Sequence, residues 1–163
     1  MKNKNFIQFF KAVKKTIKKS KADLHNPSFD NNEKIALSNV IESNYVSSSG
    51  KKIHQFSKSL KKVTKCKFII PVINGTSALH IILKVLKINN HHEVLLPALS
   101  FVATGNVILY QNATPHFVDS ENENLGVDPK KLENYLNKIT RVTKRGCLNL
   151  KTKKIIKCLI ITH

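Results

Sequence analysis

The sequence predicts an α/β domain with a mostly parallel sheet and helices on both faces. From about residue 68 onward, short apolar runs that suit buried strands alternate with amphipathic segments that suit helices. This alternation is typical of βαβ units, whose parallel strands are covered on both sides. The chain of 163 residues has the length of one ordinary domain, and a hydrophobic content of 41% excludes wholesale disorder.

The chain is predicted to open with a basic helix and linker over residues 1–30, with the domain itself at 31–163. Phe6, Phe10, Val13 and Ile17 recur at helical spacing, and the first 21 residues contain eight lysines and no acid. Three interpretations are open for this stripe: a helix docked on the body of the protein, a membrane-surface helix, or a targeting peptide. Docking is the simplest of the three.

The remaining elements follow from apolar spacing and from capping residues. Two helices are predicted first, separated by a small-residue loop, and alternating strands and helices come after them. The predicted helices are 31–44, 53–63, 77–87, 103–110 and 129–139, the last one behind an Asp128 cap, and the predicted strands are 68–72, 94–96, 116–118 and 155–162.

The net charge of +18 raises the question of a nucleic-acid-binding protein. Of the 28 basic residues, 26 are lysine and only Arg141 and Arg145 can make the bidentate contacts that read bases and phosphates. No zinc-finger, RNP-type or recognition-helix pattern accompanies the charge. We therefore expect no specific nucleic-acid partner, although non-specific affinity for polyanions remains an alternative.

Other function classes have little support in the sequence. Three scattered cysteines are too few for a disulfide framework or a zinc cage, no apolar run reaches the length of a membrane span, and a cytoplasmic location is expected. No metal site is predicted, because the adjacent residues 91–93, two histidines and a glutamate, point to opposite faces of an extended chain and suit a solvated turn. Asp119, Glu121 and Glu123 are read as a loop without a partner motif.

The segment at residues 74–80 carries the clearest chemical signal. Gly75 follows an apolar run and lets the backbone approach a ligand closely. Thr76 and Ser77 then supply hydroxyl and amide groups at a helix N-terminus, where the macrodipole favours an anion. The segment can bind a phosphate group or simply cap a helix. The Walker motif GxxxxGK[ST] is absent, which gives no support for ATP or GTP hydrolysis.

A second loop, at residues 97–104, follows the next predicted strand. Because neighbouring parallel strands end at one edge of a sheet, this loop is expected beside the segment at 74–80. Phe101 can stack there on a planar ring, or it can pack into the core.

Several segments, in this order and spacing, resemble the DegT/StrS-type sugar aminotransferases. These are pyridoxal 5′-phosphate (PLP) enzymes of the aspartate-aminotransferase fold. The matching segments are 44–56, 72–83, 95–119, 125–136 and 160–163, and segments 24–34 and 145–154 look most like the branch that makes bacillosamine- and legionaminic-type amino sugars. The resemblance implies the N-terminal part of a PLP fold type I large domain, truncated at its C-terminal side.

The resemblance also assigns roles to residues. It implies that Gly75, Thr76 and Ser77 hold the PLP phosphate and that Phe101 stacks on the pyridine ring. It implies, less directly, that Ser47, Ser48, Ser49 and Gly50 lie near the pocket for a nucleotide sugar. The partners implied are a second copy of the chain in a homodimer, or a complementary C-terminal half, together with an amino donor such as glutamate.

The implied reaction moves an amino group onto a nucleotide-linked 4-keto-6-deoxy sugar. The lysine that holds PLP covalently and the aspartate that pairs with its ring nitrogen are expected beyond His163, so no catalytic residue is assigned and the chain alone is expected to be inactive. The alternatives are a non-catalytic remnant, one half of a split enzyme, or a basic polyanion-binding protein.

Overall fold

The computed structural model describes residues 4–18 and 26–162. The chain divides into two compact units, residues 1–69 and 70–163. This division leaves the predicted boundary at residue 30 untested. Each unit has its own elements, and the predicted sheet belongs to the second.

The first unit is helical where it is described. Its helices are α1 (Lys4–Ile17), α2 (Asn31–Glu42) and α3 (Lys51–Thr64). The cap of α2 is Asp30, because its carboxylate accepts a hydrogen bond from the Asn32 amide at 2.6 Å while the Glu33 carboxylate accepts one from the Asp30 amide at 2.7 Å. No residue of α1 is fully buried, and in its apolar stripe Phe6, Phe10 and Ile17 are exposed while Val13 is half-buried.

The second unit alternates helices and strands before it ends in three strands. Its elements are α4 (Gly75–Val85), β1 (His92–Pro97), α5 (Val102–Leu109), β2 (Thr114–Val118), α6 (Pro129–Ile139), β3 (Thr140–Thr143), β4 (Gly146–Asn149) and β5 (Ile155–Leu159). The strands form one sheet in the order β2-β1-β5-β4-β3. The strands β2, β1 and β5 are parallel, whereas β4 and β3 extend the sheet as an antiparallel hairpin.

Two apolar clusters place helices on both faces of the sheet. On one face, residues of α4 and α5 such as Leu83 and Val107 pack against Val94 and Leu96 of β1. On the other face, Leu95 packs with residues of β2, β5 and α6. The predicted α/β class with helices on both faces is therefore confirmed, and the hairpin makes the sheet mixed rather than wholly parallel.

The predicted strand at residues 68–72 is wrong. The segment pairs with no strand in the described chain, and Phe68 and Ile70 are 77% and 81% exposed. An apolar run becomes a strand only where backbone partners are available. Both edges of β1, where the next parallel strand would be expected, are occupied by β2 and β5.

The interpretation of residues 91–93 as a solvated turn is wrong for its last two residues, because β1 begins at His92, which is half-buried. Glu93 lies within β1 and is fully buried. Within the described ranges, no group of three or more potential ligands is placed to hold a metal ion. Nor does any helix among those residues have the length and hydropathy needed to cross a bilayer.

Candidate functional site

The N-terminus of α4 presents unpaired amide groups. Asn74 caps the helix, because its side-chain oxygen accepts a hydrogen bond from the Ser77 amide at 2.8 Å. The Ala78 amide donates to the Asn74 carbonyl at 3.1 Å, so it too is engaged. The amides of Gly75 and Thr76 precede the first helical hydrogen bond and have no partner among residues 4–18 and 26–162. Two donors therefore remain available where the helix dipole favours an anion.

The side of Gly75 on which a Cβ atom would stand is open. A Cβ atom added to Gly75 would meet no heavy atom within 4 Å, and Gly75 is exposed. The side chains of Thr76 and Ser77 belong to half-buried residues and add two hydroxyl groups to the same turn. The turn therefore combines two unpaired amides, two hydroxyl groups and an exposed glycine, a donor set that suits a phosphate group.

Phe101 is exposed at the start of the neighbouring helix. It is the N-cap of α5, with φ −68° and ψ 141°, and its residue surface is 78% exposed. Packing of Phe101 into the core, the alternative from the sequence, is therefore excluded. The ring is free to stack on a planar ligand.

Helices α4 and α5 bring these residues to one edge of the sheet. Both helices pack on the same face of β1, and the rings of His80 and Tyr110 lie 5.7 Å apart between them. Helix α5 begins just after β1 ends, so Phe101 lies at the carboxyl edge. A short connection returns the chain from α4 to the start of β1, from which we infer that α4 runs opposite to β1 and begins toward the same edge.

The serine-rich loop belongs to the first unit. Ser47, Ser49 and Gly50 line a cleft of about 850 Å³ formed by α2, the loop and α3, whereas Ser48 does not line it. The loop is held by the Ser49 amide, which donates to the Ser47 hydroxyl at 3.3 Å, and by the Gly50 amide, which donates to the Ser47 carbonyl at 3.0 Å. Lys51 and Lys52 also line this cleft, whose surface is otherwise mostly apolar.

A buried polar cluster around Glu93 was missed by the sequence analysis. Glu93 Oε2 lies 2.7 Å from His116 Nδ1 and accepts a hydrogen bond from Asn149 Nδ2 of the side-chain amide at 3.0 Å. His116 Nε2 lies 3.0 Å from the Tyr135 hydroxyl. These contacts link β1 to β2, β4 and α6. Because Glu93 lies near the start of β1, the cluster is at the opposite end of the strand from Phe101.

The cluster keeps the Glu93 carboxyl ionised. Burial works to raise its pKa, but Thr152, His116 and Asn149 together outweigh burial, and the net pKa lies below the ordinary value. The other oxygen, Oε1, is buried without a hydrogen-bond partner of ordinary geometry. No single sequence motif predicts this cluster, because its members are far apart in the sequence.

The acidic loop at 119–123 has a structural role in the described chain. Asp119 pairs with Lys131 at 3.0 Å, and this hydrogen bond lowers the pKa of the Asp119 carboxyl. Glu121 accepts the amides of Glu123 and Asn124, each at 2.6 Å. Glu121 therefore organises its own loop.

Comparison with known proteins shows which family the chain is similar to. A model of the DegT/DnrJ/EryC1/StrS aminotransferase family matches residues 27–149. GDP-perosamine synthase of Vibrio cholerae is 36% identical over 118 residues, which cover 72% of this chain and 32% of that protein. The spore coat polysaccharide biosynthesis protein SpsC of Bacillus subtilis is 35% identical over 97 residues, covering 60% of this chain and 25% of that protein.

Solved structures agree with this match. A DegT DnrJ EryC1 StrS aminotransferase from Brucella abortus superimposes with a TM-score of 0.68 at 25% identity, covering 80% of this chain and 32% of the other. Spr1654 of Streptococcus pneumoniae, in its PLP form, gives a TM-score of 0.62 at 26% identity over 69% of this chain and 29% of its own. The chain thus spans about a third of the length of the curated relatives named first.

Proposed function

The chain belongs to the DegT/DnrJ/EryC1/StrS aminotransferase family, and on that premise we propose that it supplies the cofactor-holding part of a PLP-dependent sugar aminotransferase. The substrate class we propose is a nucleotide-linked 4-keto-6-deoxy sugar, with glutamate as the amino donor. The reaction would take place in the cytoplasm, which suits a chain with three free cysteines.

The observation that carries this proposal is the pair of unpaired amides at the start of α4. Gly75 and Thr76 would donate these amides to the phosphate group, and the hydroxyls of Thr76 and Ser77 would complete the contacts. Gly75 has no Cβ atom in the path of the anion, and the space there is open. Phosphate bound at this turn would anchor the cofactor.

Phe101 would orient the cofactor ring. The ring of Phe101 is exposed at the same edge of the sheet, and an aromatic side chain stacks well on a pyridine ring. When bound, PLP supplies the electron sink that amino-group transfer requires. The residues of this chain would bind and orient it, while the lysine and aspartate implied by the family would come from the complementary part of the protein.

The cleft in the first unit is our candidate for the nucleotide sugar. Ser47 and Ser49 offer hydroxyl groups there, and Lys51 and Lys52 offer charge that suits a diphosphate. Ser48 and Gly50 would shape the loop. The partner is proposed to be a second copy of the chain or a complementary C-terminal half, either of which would complete the active site.

The test is equilibrium dialysis of the full chain against PLP and against pyridoxal, which lacks the phosphate. We expect PLP to bind at least about 10-fold more tightly, since a hydrogen bond to a charged group contributes about 1.5–3 kcal/mol. Gly75→Ala and Ser77→Ala should each weaken PLP binding about 10-fold. Gly126→Ala is the matched control, because its new Cβ would make only an ordinary 3.8 Å contact with the Thr162 carbonyl.

A second pair of variants tests the ring contact. Phe101→Ala should weaken binding of both PLP and pyridoxal, whereas Phe68→Ala, which removes an equally exposed ring, should weaken neither. Equal affinity for PLP and pyridoxal would overturn the phosphate assignment. Binding that falls steeply with salt and is the same in every variant would favour the polyanion-binding alternative.

A further inference from the structure

Helix α1 lies outside the part of the chain that matches the family. The match begins at residue 27, whereas α1 spans Lys4–Ile17. The family match therefore does not account for this helix. Its properties have to be explained from its own residues.

One face of α1 is an exposed aromatic patch. Phe6 and Phe9 are each 63% exposed and Phe10 is 50% exposed. The ring centroids of Phe6 and Phe10 are 4.9 Å apart, and those of Phe9 and Phe10 are 6.2 Å apart, so the three rings form one continuous surface. Ile17 extends the patch along the helix. A patch of this kind on a helix surface marks a site that another surface covers.

The opposite face of α1 carries lysines and no acidic residue. At 100° per residue, Lys4, Lys11 and Lys15 lie opposite the stripe that runs from Phe6 to Ile17. The first 21 residues hold eight lysines and no acid. Aromatic and aliphatic side chains on one face, with lysines alone carrying charge on the other, are typical of helices that lie in the plane of a membrane surface.

We propose that α1 binds the surface of a membrane that contains anionic phospholipids. The phenyl rings enter the boundary between headgroups and acyl chains, and the lysines contact the phosphates. With 14 residues, the helix lies along the surface rather than across the bilayer.

The experiment is sedimentation of the full chain with vesicles of phosphatidylcholine alone or mixed with phosphatidylglycerol. We expect retention by the mixed vesicles only. The combined change Lys11→Gln, Lys14→Gln and Lys15→Gln should lower the affinity on the order of 100-fold, since each lysine near an anionic surface contributes about 5-fold. The control combines Lys58→Gln, Lys61→Gln and Lys62→Gln on α3, which removes the same charge and should have a much smaller effect.

The aromatic contribution is tested separately. Phe6→Ala with Phe10→Ala should weaken binding about 10-fold per ring, because each ring loses its burial in the apolar part of the membrane. Alanine is chosen because it has a high helix propensity and so should leave α1 folded. Phe29→Ala with Phe56→Ala removes two other exposed rings and should leave binding unchanged. Circular dichroism confirms that each variant keeps its helix content.

Each contrary result is informative. Equal loss in the two lysine variants would mean that total charge alone drives retention, and unchanged binding of the Phe6/Phe10 variant would mean that the rings do not enter the membrane. Either result would overturn the proposal. Retention by phosphatidylcholine alone, or a dimer that dissociates when Phe6 and Phe10 are replaced, would also overturn it.

Discussion

Replacing Glu93 by glutamine should lower the free energy of unfolding by about 1–2 kcal/mol at neutral pH. The Glu93 carboxylate is fully buried and contacts His116 at 2.7 Å and Asn149 at 3.0 Å. These contacts connect three strands that are far apart in the sequence. Weakening them should therefore destabilise the whole second unit.

The magnitude follows from the two hydrogen bonds. Each is now made to a charged acceptor, which contributes about 1.5–3 kcal/mol, against about 0.5–1.5 kcal/mol for a neutral one. Replacing the charged acceptor by a neutral one in both hydrogen bonds should therefore cost about 2 kcal/mol in total. The amide is cheaper to bury than the carboxylate, and this offsets part of the loss.

Urea unfolding followed by circular dichroism measures the effect. Glu133→Gln is the matched control, because it makes the same chemical change and the same change of net charge at an exposed position of α6. It should alter stability by less than about 0.5 kcal/mol. A Glu93→Gln protein as stable as the unaltered chain would refute the reasoning, since it would mean that burying the charge costs as much as its contacts contribute.

The same pair of proteins predicts a pH dependence. The pKa of Glu93 is lowered in the folded chain, so its contribution to stability is present above the ordinary carboxyl pKa and is lost as the pH falls through the folded value. The stability difference between the unaltered chain and Glu93→Gln should therefore shrink in acid. A difference that grows in acid would contradict the lowered pKa.

Three further predictions concern local geometry and thiol reactivity. Gly146→Ala should cost about 1–3 kcal/mol in urea unfolding, because φ is +118° and the new Cβ would lie 3.3 Å from the Ile155 side chain; an unchanged midpoint would contradict this. Asp128→Ala should cost about 1 kcal/mol in the same assay, since it removes the side-chain cap of α6, and an equally stable variant would show that the cap is dispensable. Iodoacetamide at mildly alkaline pH should label exposed Cys66 before Cys158, because burial raises the pKa of the Cys158 thiol; peptide mapping that finds equal rates would refute this.

Local signals in the sequence predicted much of the second unit correctly. Asp128 followed by Pro129 marked the start of α6, and Gly75 with its two hydroxyl-bearing neighbours marked the start of α4. These signals work because a helix cap is satisfied by residues within one turn. No strand is predicted between residues 118 and 155, in contrast, although β3 and β4 form the antiparallel hairpin there.

Strand pairing and the burial of polar side chains depend on partners that are distant in the chain, and the sequence did not predict them. The apolar run at 68–72 indicated a strand, yet no described strand pairs with it. Glu93 looked like a surface residue beside two histidines until β2 and β4 brought His116 and Asn149 to it. The roles of Gly75, Ser77 and Phe101 in holding PLP stay predictions.

The amino-acid sequence alone determined the α/β class, the helix starts to within two residues, the excess of lysine and the resemblance to sugar aminotransferases, because each of these depends on neighbouring residues or on composition. Only the tertiary structure decided that Phe101 is exposed, that Glu93 is buried among polar partners and that a hairpin extends the sheet. The physical reason is that exposure and pairing are set by contacts between residues far apart in the chain, and local spacing does not encode which of those residues meet.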